Sequence, residues 1–117
     1  MKKSVMKVNG KEVSSNVETA YSFFRRFRGL MFRKSIEDDF VLHIKPCNQI
    51  HMLNMRFAID VVYLSADGKV VKADEDVKPG AICKTVKGAK SVAEMKNGAV
   101  KHFGINKGDT VEIIGCK

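Results

Sequence analysis

The feature that most constrains this chain is a single carboxylate inside an apolar run. Residues 57–64 read FAIDVVYL, a strongly apolar run that predicts a strand. Asp60 stands in the middle of it. A charge there costs free energy unless it is paired or hydrogen-bonded, so the fold must bring Asp60 a fixed partner. Backbone N–H groups, or Arg28, Arg33 or Arg56, could serve. Alternatively, Asp60 lines a cleft as a functional carboxylate. The segment just before the run, CNQIHMLNM at 47–55, gathers side chains able to do chemistry: Cys47, Asn48, Gln49 and His51.

The rest of the chain must supply the strands that pair with this one. Asn9-Gly10 lies between the short β-capable stretches 4–8 and 11–14, a type I′ hairpin signal. Asp67-Gly68 predicts a second hairpin, returning into 69–73. Residues 40–44 read as a strand ended by Pro46, and 51–55, 81–86, 91–95 and 110–114 as further short strands. Ser15-Asn16-Val17-Glu18 spells a capping box. It predicts a helix to about residue 32, with Val17, Ala20, Tyr21, Phe24, Phe27 and Met31 as one apolar stripe laid on the sheet; a membrane-surface amphipathic helix is the sharper alternative, but aromatic stripes at helical spacing are more often core. Gly29 inside it points to close backbone packing or a bend. Residues 99–103 suit one packed helical turn, with Gly104 as its left-handed cap. With 117 residues, the chain predicts one domain spanning 1–117. The expected class is α+β: a curled, mostly antiparallel sheet or partial barrel, with one main amphipathic helix and one short helical turn.

Charge and cysteine usage narrow the function classes. The net charge is +8. Residues 21–34 hold five basic side chains and no acidic one, and residues 78–107 hold seven lysines against Glu94 alone. A basic helix face could attract nucleic acid or another polyanion, but lysine-rich surfaces more often serve solubility. No apolar stretch approaches the length needed to cross a bilayer, and a basic opening without an apolar core predicts no export. The three widely spaced cysteines, Cys47, Cys83 and Cys116, suit a reducing compartment. The expectation is a cytoplasmic protein with no membrane partner and nucleic acid disfavoured.

RGLMFR at 28–33, CNQIHMLNMRFAIDVVYL at 47–64, DGKVV at 67–71 and GINKGDTVEI at 104–113 follow one another at a spacing that resembles domain of unknown function 192, also called uncharacterised protein family 0127. The likeness runs from about residue 19 to 114. It implies a compact domain with a strongly bent, largely antiparallel sheet and a helix against it. It implies no catalytic residue, because the family has no established activity. Around Met52-Leu53-Asn54 and at Ala93 this chain departs from the family pattern, both times at apolar packing positions.

Cys47 and His51 could ligate zinc or form an activated nucleophile. Zinc needs more ligands than one such pair, and His43 and His102 stand alone, so no metal is expected. Nucleotide and hydrolase fingerprints are absent, which predicts no cofactor. The leading reading is a binding or interaction domain that takes a small ligand or peptide at a concave sheet face, through Cys47, Asn48, His51, Met55, Asp60 and Glu94. The runner-up is a small hydrolase or transferase using Cys47 and His51. The third reading is a polyanion binder using Arg25, Arg26 and Arg28.

Overall fold

In the computed structural model, which describes residues 3–115, the chain runs β1 (Ser4–Val8), β2 (Lys11–Ala20), α1 (Phe23–Arg28), β3 (Phe40–Ile44), β4 (Ile59–Leu64), β5 (Val70–Val77), β6 (Ser91–Lys96), α2 (Ala99–Phe103) and β7 (Val111–Ile114). The seven strands form one sheet in the order β5-β4-β6-β3-β2-β1-β7. All neighbours are antiparallel except β2 and β3, which run parallel. This is the expected α+β class with a curled sheet. Asn9 and Gly10 both take positive φ, as a type I′ hairpin requires.

The curl encloses one core and leaves a second outside. Met6, Val8, Val17, Val41, Val62, Leu64, Val70, Ala93, Met95 and Val111 come from all seven strands and bury together with Ala99 and Val100 of α2. The two ends of the sheet approach each other at a bridge between Lys69 and Thr110. Gly68 permits this contact: a Cβ there would stand 2.5 Å from the Val111 carbonyl oxygen. The second core packs on the other face, where Leu42, Ile44, Ile59, Val61, Tyr63 and Val92 meet Leu30, Ile36, Ile50 and Met52 from the connecting segments. Side chains alternate along β4, so Ile59, Val61 and Tyr63 face the outer core while Asp60, Val62 and Leu64 face inward.

The main helix departs from expectation. Residues 15–20 continue β2 as a strand, and Glu18, instead of closing a capping box, pairs with Lys3 at 2.9 Å and Arg33 at 3.1 Å. Parallel pairing of Asn16–Ala20 with β3 outweighs local helix preference. The helical spacing of Val17 and Ala20 has a simple origin. They bury on opposite faces of one strand, Val17 in the inner core and Ala20 in the outer. The helix that does form is six residues long, capped by the Ser22 hydroxyl, which accepts from the Arg25 N–H at 3.2 Å. None of its residues is buried. Phe24 and Phe27 are 68% and 61% exposed, so the expected core stripe is solvent-facing there. The strands expected over 51–55 and 81–86 reduce to a single bridge, His51 to Ile82, within two irregular segments that lie against each other. Cys116 lies outside the described residues.

Asp60 has its fixed partners. It is fully buried, and its Oδ1 accepts from the Asp76 N–H at 3.0 Å while Oδ2 accepts from the Gly98 and Val100 N–H groups, both at 3.0 Å. The partners are backbone donors, and among the described residues no arginine takes part. The start of α2 has no side-chain cap of its own, so Asp60 supplies it from across the core. Asp60→Ala strands three donors and should cost at least about 3 kcal/mol in urea unfolding. Asp60→Asn, which keeps one acceptor oxygen, should lose less; an alanine variant within about 1 kcal/mol of wild type would refute the anchor. Because Phe24 is exposed, Phe24→Ala should change stability by no more than about 0.5 kcal/mol. Phe40→Ala, emptying a fully packed site, should cost about 3–5 kcal/mol in the same assay.

Candidate functional site

β6 lies between β3 and β4, and Glu94 is registered against Leu42 on one side and Val61 on the other. Its side chain belongs to the outer face, opposite Asp60, whose registered neighbour is Met95. The two carboxylates therefore do not converge. Asp60 is committed to the backbone inside the curl, whereas Glu94 faces a cavity.

That cavity, about 40 Å³, lies between the sheet and the segment that ends α1. It has room for roughly two or three waters. Glu94 and Ile44 line it from the sheet, Arg26, Phe27 and Gly29 from α1 and its cap, and Cys47, Gln49, His51 and Met55 from the 47–55 segment. Gly29 closes the helix with φ +49°, and a Cβ on it would sit 3.7 Å from Glu94 Oε1. The glycine in the RGLMFR stretch thus marks the positive-φ end of the helix, and the space beside it would admit a Cβ at ordinary contact distance. A shallower groove continues outward past Phe23, Arg26, Phe27, Asn48 and His51.

Of the candidate residues, Cys47, His51, Met55 and Glu94 meet at the cavity, Asn48 lies on the exposed groove, and Asp60 is elsewhere. Arg26 and Phe27 were missed as lining residues. Their signal was the unbroken basic-aromatic run before Gly29, in which helical spacing assigned Phe27 to packing and Arg26 to a basic outer face. The face is the outer one; the concave face expected to bind is filled by α2 and the inner core.

Electrostatics set what this site can do. Burial, with no charged or hydrogen-bonding partner among the described residues, raises the Glu94 carboxyl to about 7. The Cys47 thiol is also pushed up, chiefly by burial and further by nearby Glu94. It donates to the Gln49 carbonyl at 3.1 Å, and His51 Nδ1 accepts from the Leu53 N–H at 3.3 Å. No hydrogen bond joins Cys47 to His51 among the described residues. Burial thus favours the protonated thiol, whose hydrogen goes to the Gln49 carbonyl. Among the described residues, no three His, Cys, Asp or Glu side chains gather around a metal-sized space. Arg25 and Arg28 are exposed, while Arg26 bends back to donate to the Pro46 carbonyl at 3.2 Å.

Glu94 and His43 make opposite demands on pH. Glu94 stabilises the fold while protonated, a contribution complete below the ordinary 4.5 and lost as pH rises through 7. His43 hydrogen-bonds the Tyr21 hydroxyl, and burial lowers it from 6.5 to about 4; its contribution is present above 6.5 and lost as pH falls through 4. The two slopes offset each other from about 4.5 to 6.5. Glu94→Gln should therefore unmask a stability that climbs with pH across that window. It should also exceed wild type at pH 8 by something on the order of 3 kcal/mol, read from urea midpoints. An unchanged pH profile would mean that Glu94 titrates normally.

The chain matches known proteins over nearly its whole length. The family model DUF192, described as "Uncharacterized ACR", covers residues 4–113. A UPF0127 protein of Pyrococcus furiosus is 32% identical over 108 residues, spanning 88% of this chain and 90% of that one. A UPF0127 protein of Thermococcus sibiricus is 30% identical over 113 residues, spanning 92% and 72%. A crystal structure of a Novosphingobium aromaticivorans protein of unknown function superposes with TM-score 0.82 at 22% identity, covering 92% of this chain and 83% of the other. A Sinorhizobium meliloti protein, proposed to be a transcription regulator, superposes with TM-score 0.80 at 22% identity over 95% and 93%. These structural likenesses speak to the fold. With the buried Asp60, the cavity under Gly29 and the curled sheet in place, the family match assigns the chain: it belongs to the uncharacterised DUF192, or UPF0127, family.

Proposed function

We propose that this protein is a non-catalytic, cytoplasmic binding domain. It takes a small molecule or the end group of a peptide in the cavity beneath Gly29. The observation that carries this reading is Glu94: a buried carboxyl on a central strand, facing a cavity, with no protein donor among the described residues. Buried polar groups nearly always have partners, and an unpartnered one costs stability. A ligand bearing a hydrogen-bond donor at its tip would supply the missing partner. Arg26 lines the same cavity, and its Nε–H is buried without an acceptor, so a group that both donates and accepts, such as a primary amide, suits the pair. Phe27, Ile50 and Met55 would hold the apolar part of the ligand. The free thiols of Cys47 and Cys83 suit a reducing compartment.

Nitrogen-15 amide spectra should read this directly. Titration with propionamide or butylammonium should shift the Gly29, Cys47, His51 and Glu94 signals. Glu94→Leu should remain folded, at equal or higher stability, and lose at least about tenfold in affinity, the worth of one charge-assisted hydrogen bond. Absence of shifts with every donor probe, or shifts retained in Glu94→Leu, would sink the reading.

A further inference from the structure

Phe23, Phe24, Phe27 and Phe32 are 77%, 68%, 61% and 61% exposed, and Leu53 is 46% exposed. These are not scattered side chains. The Phe27 ring lies 5.9 Å from that of His51, His51 accepts from the Leu53 N–H, and the Phe32 N–H donates to the Asn54 carbonyl at 3.0 Å. One continuous surface therefore runs from α1 over the 51–54 segment to Phe32. Phe32 and Asn54 both hold positive φ, 70° and 60°. For a bulky phenylalanine that conformation is strained, and here it leaves the ring in solvent. The turn buries Leu30 and Met31 beside it yet leaves the Phe32 ring itself open to a partner on that side.

The charge around the rings narrows the partner. Residues 21–34 and 45–59 contain no acidic side chain, and Arg25, Arg28, Lys34, Lys45 and Arg56 are exposed with no ion pair among the described residues. A second copy docked face to face would set these cations against each other. A folded protein would need a concavity shaped to the exposed rings of a six-residue helix with no buried residue. A fluid bilayer interface needs no such match, because aromatic rings sink into it while basic side chains stay with the headgroups. We propose that this face docks the protein on an anionic lipid surface, with Phe23, Phe24 and Phe32 entering the interface and Arg25 and Arg28 at the phosphates.

Co-sedimentation with phosphatidylcholine vesicles, with and without phosphatidylglycerol, tests it. The protein should pellet with the anionic vesicles, less so as salt is raised. Phe24→Ser/Phe32→Ser should lower partitioning about tenfold or more, in line with the apolar burial removed. Arg25→Glu/Arg28→Glu should also weaken it. All these residues are exposed, so both double variants should melt with wild type. Glu94→Leu should partition normally, which separates this surface from the cavity. The proposal fails if anionic vesicles are not bound, or if the phenylalanine variant binds them as wild type does. It fails equally if the phenylalanines are needed instead for self-association in sedimentation equilibrium, or for binding polyglutamate or oligothymidine while vesicles are ignored.

Discussion

The architecture depends on one carboxylate reaching across the inner core. Asp60 departs from β4, and its two oxygens hold the backbone of β5 at Asp76 and the first turn of α2 at Gly98 and Val100. Three separate pieces of chain are thereby fixed to one point. α2 is too short to persist in water and carries no cap of its own, so its place at the core follows from Asp60 and from the burial of Ala99 and Val100. The energetic logic is that a charge in an apolar interior is tolerated when backbone donors surround it.

Strand alternation then separates two carboxylates that are close in the sheet. Asp60 faces inward and Glu94, registered against the next residue of β4, faces outward. The inward site is saturated by backbone. The outward one is walled by Gly29, Cys47 and Met55 and, among the described residues, supplied with no donor. Identical chemistry thus yields an anchor in one place and an open acceptor in the other, because the number of N–H groups within reach differs. The raised Glu94 carboxyl and the lowered His43 imidazole share a cause, the loss of water around a charge, and burial moves the two in opposite directions.

α1 belongs to neither core. Its aromatic residues look apolar in sequence and stand in solvent in the fold, while the cap residue Gly29 ties its end to the cavity. The unit therefore sets a small polar cavity and an exposed aromatic-basic segment side by side, with Phe27 shared between them.

The sequence by itself determined a good deal. The apolar run 57–64, the Asn9-Gly10 and Asp67-Gly68 turns, the 40–44 and 91–95 strands and the Gly104 cap were legible, because each depends on local φ/ψ preference or period-two burial. The need for an Asp60 partner was legible too, since desolvation cost depends only on the residue and its neighbours. Three matters were decided by tertiary structure. Residues 15–20 became strand because β3 offers them a parallel edge, and Val17 and Ala20 bury on opposite faces, a pattern that imitates a helical stripe. The choice of backbone over arginine at Asp60 was set by where Asp76 and Gly98 come to lie. Cys47, His51, Met55 and Glu94 meet because the sheet and the 47–55 segment pack on one face, and no spacing along the chain encodes a distance between elements that only folding brings together.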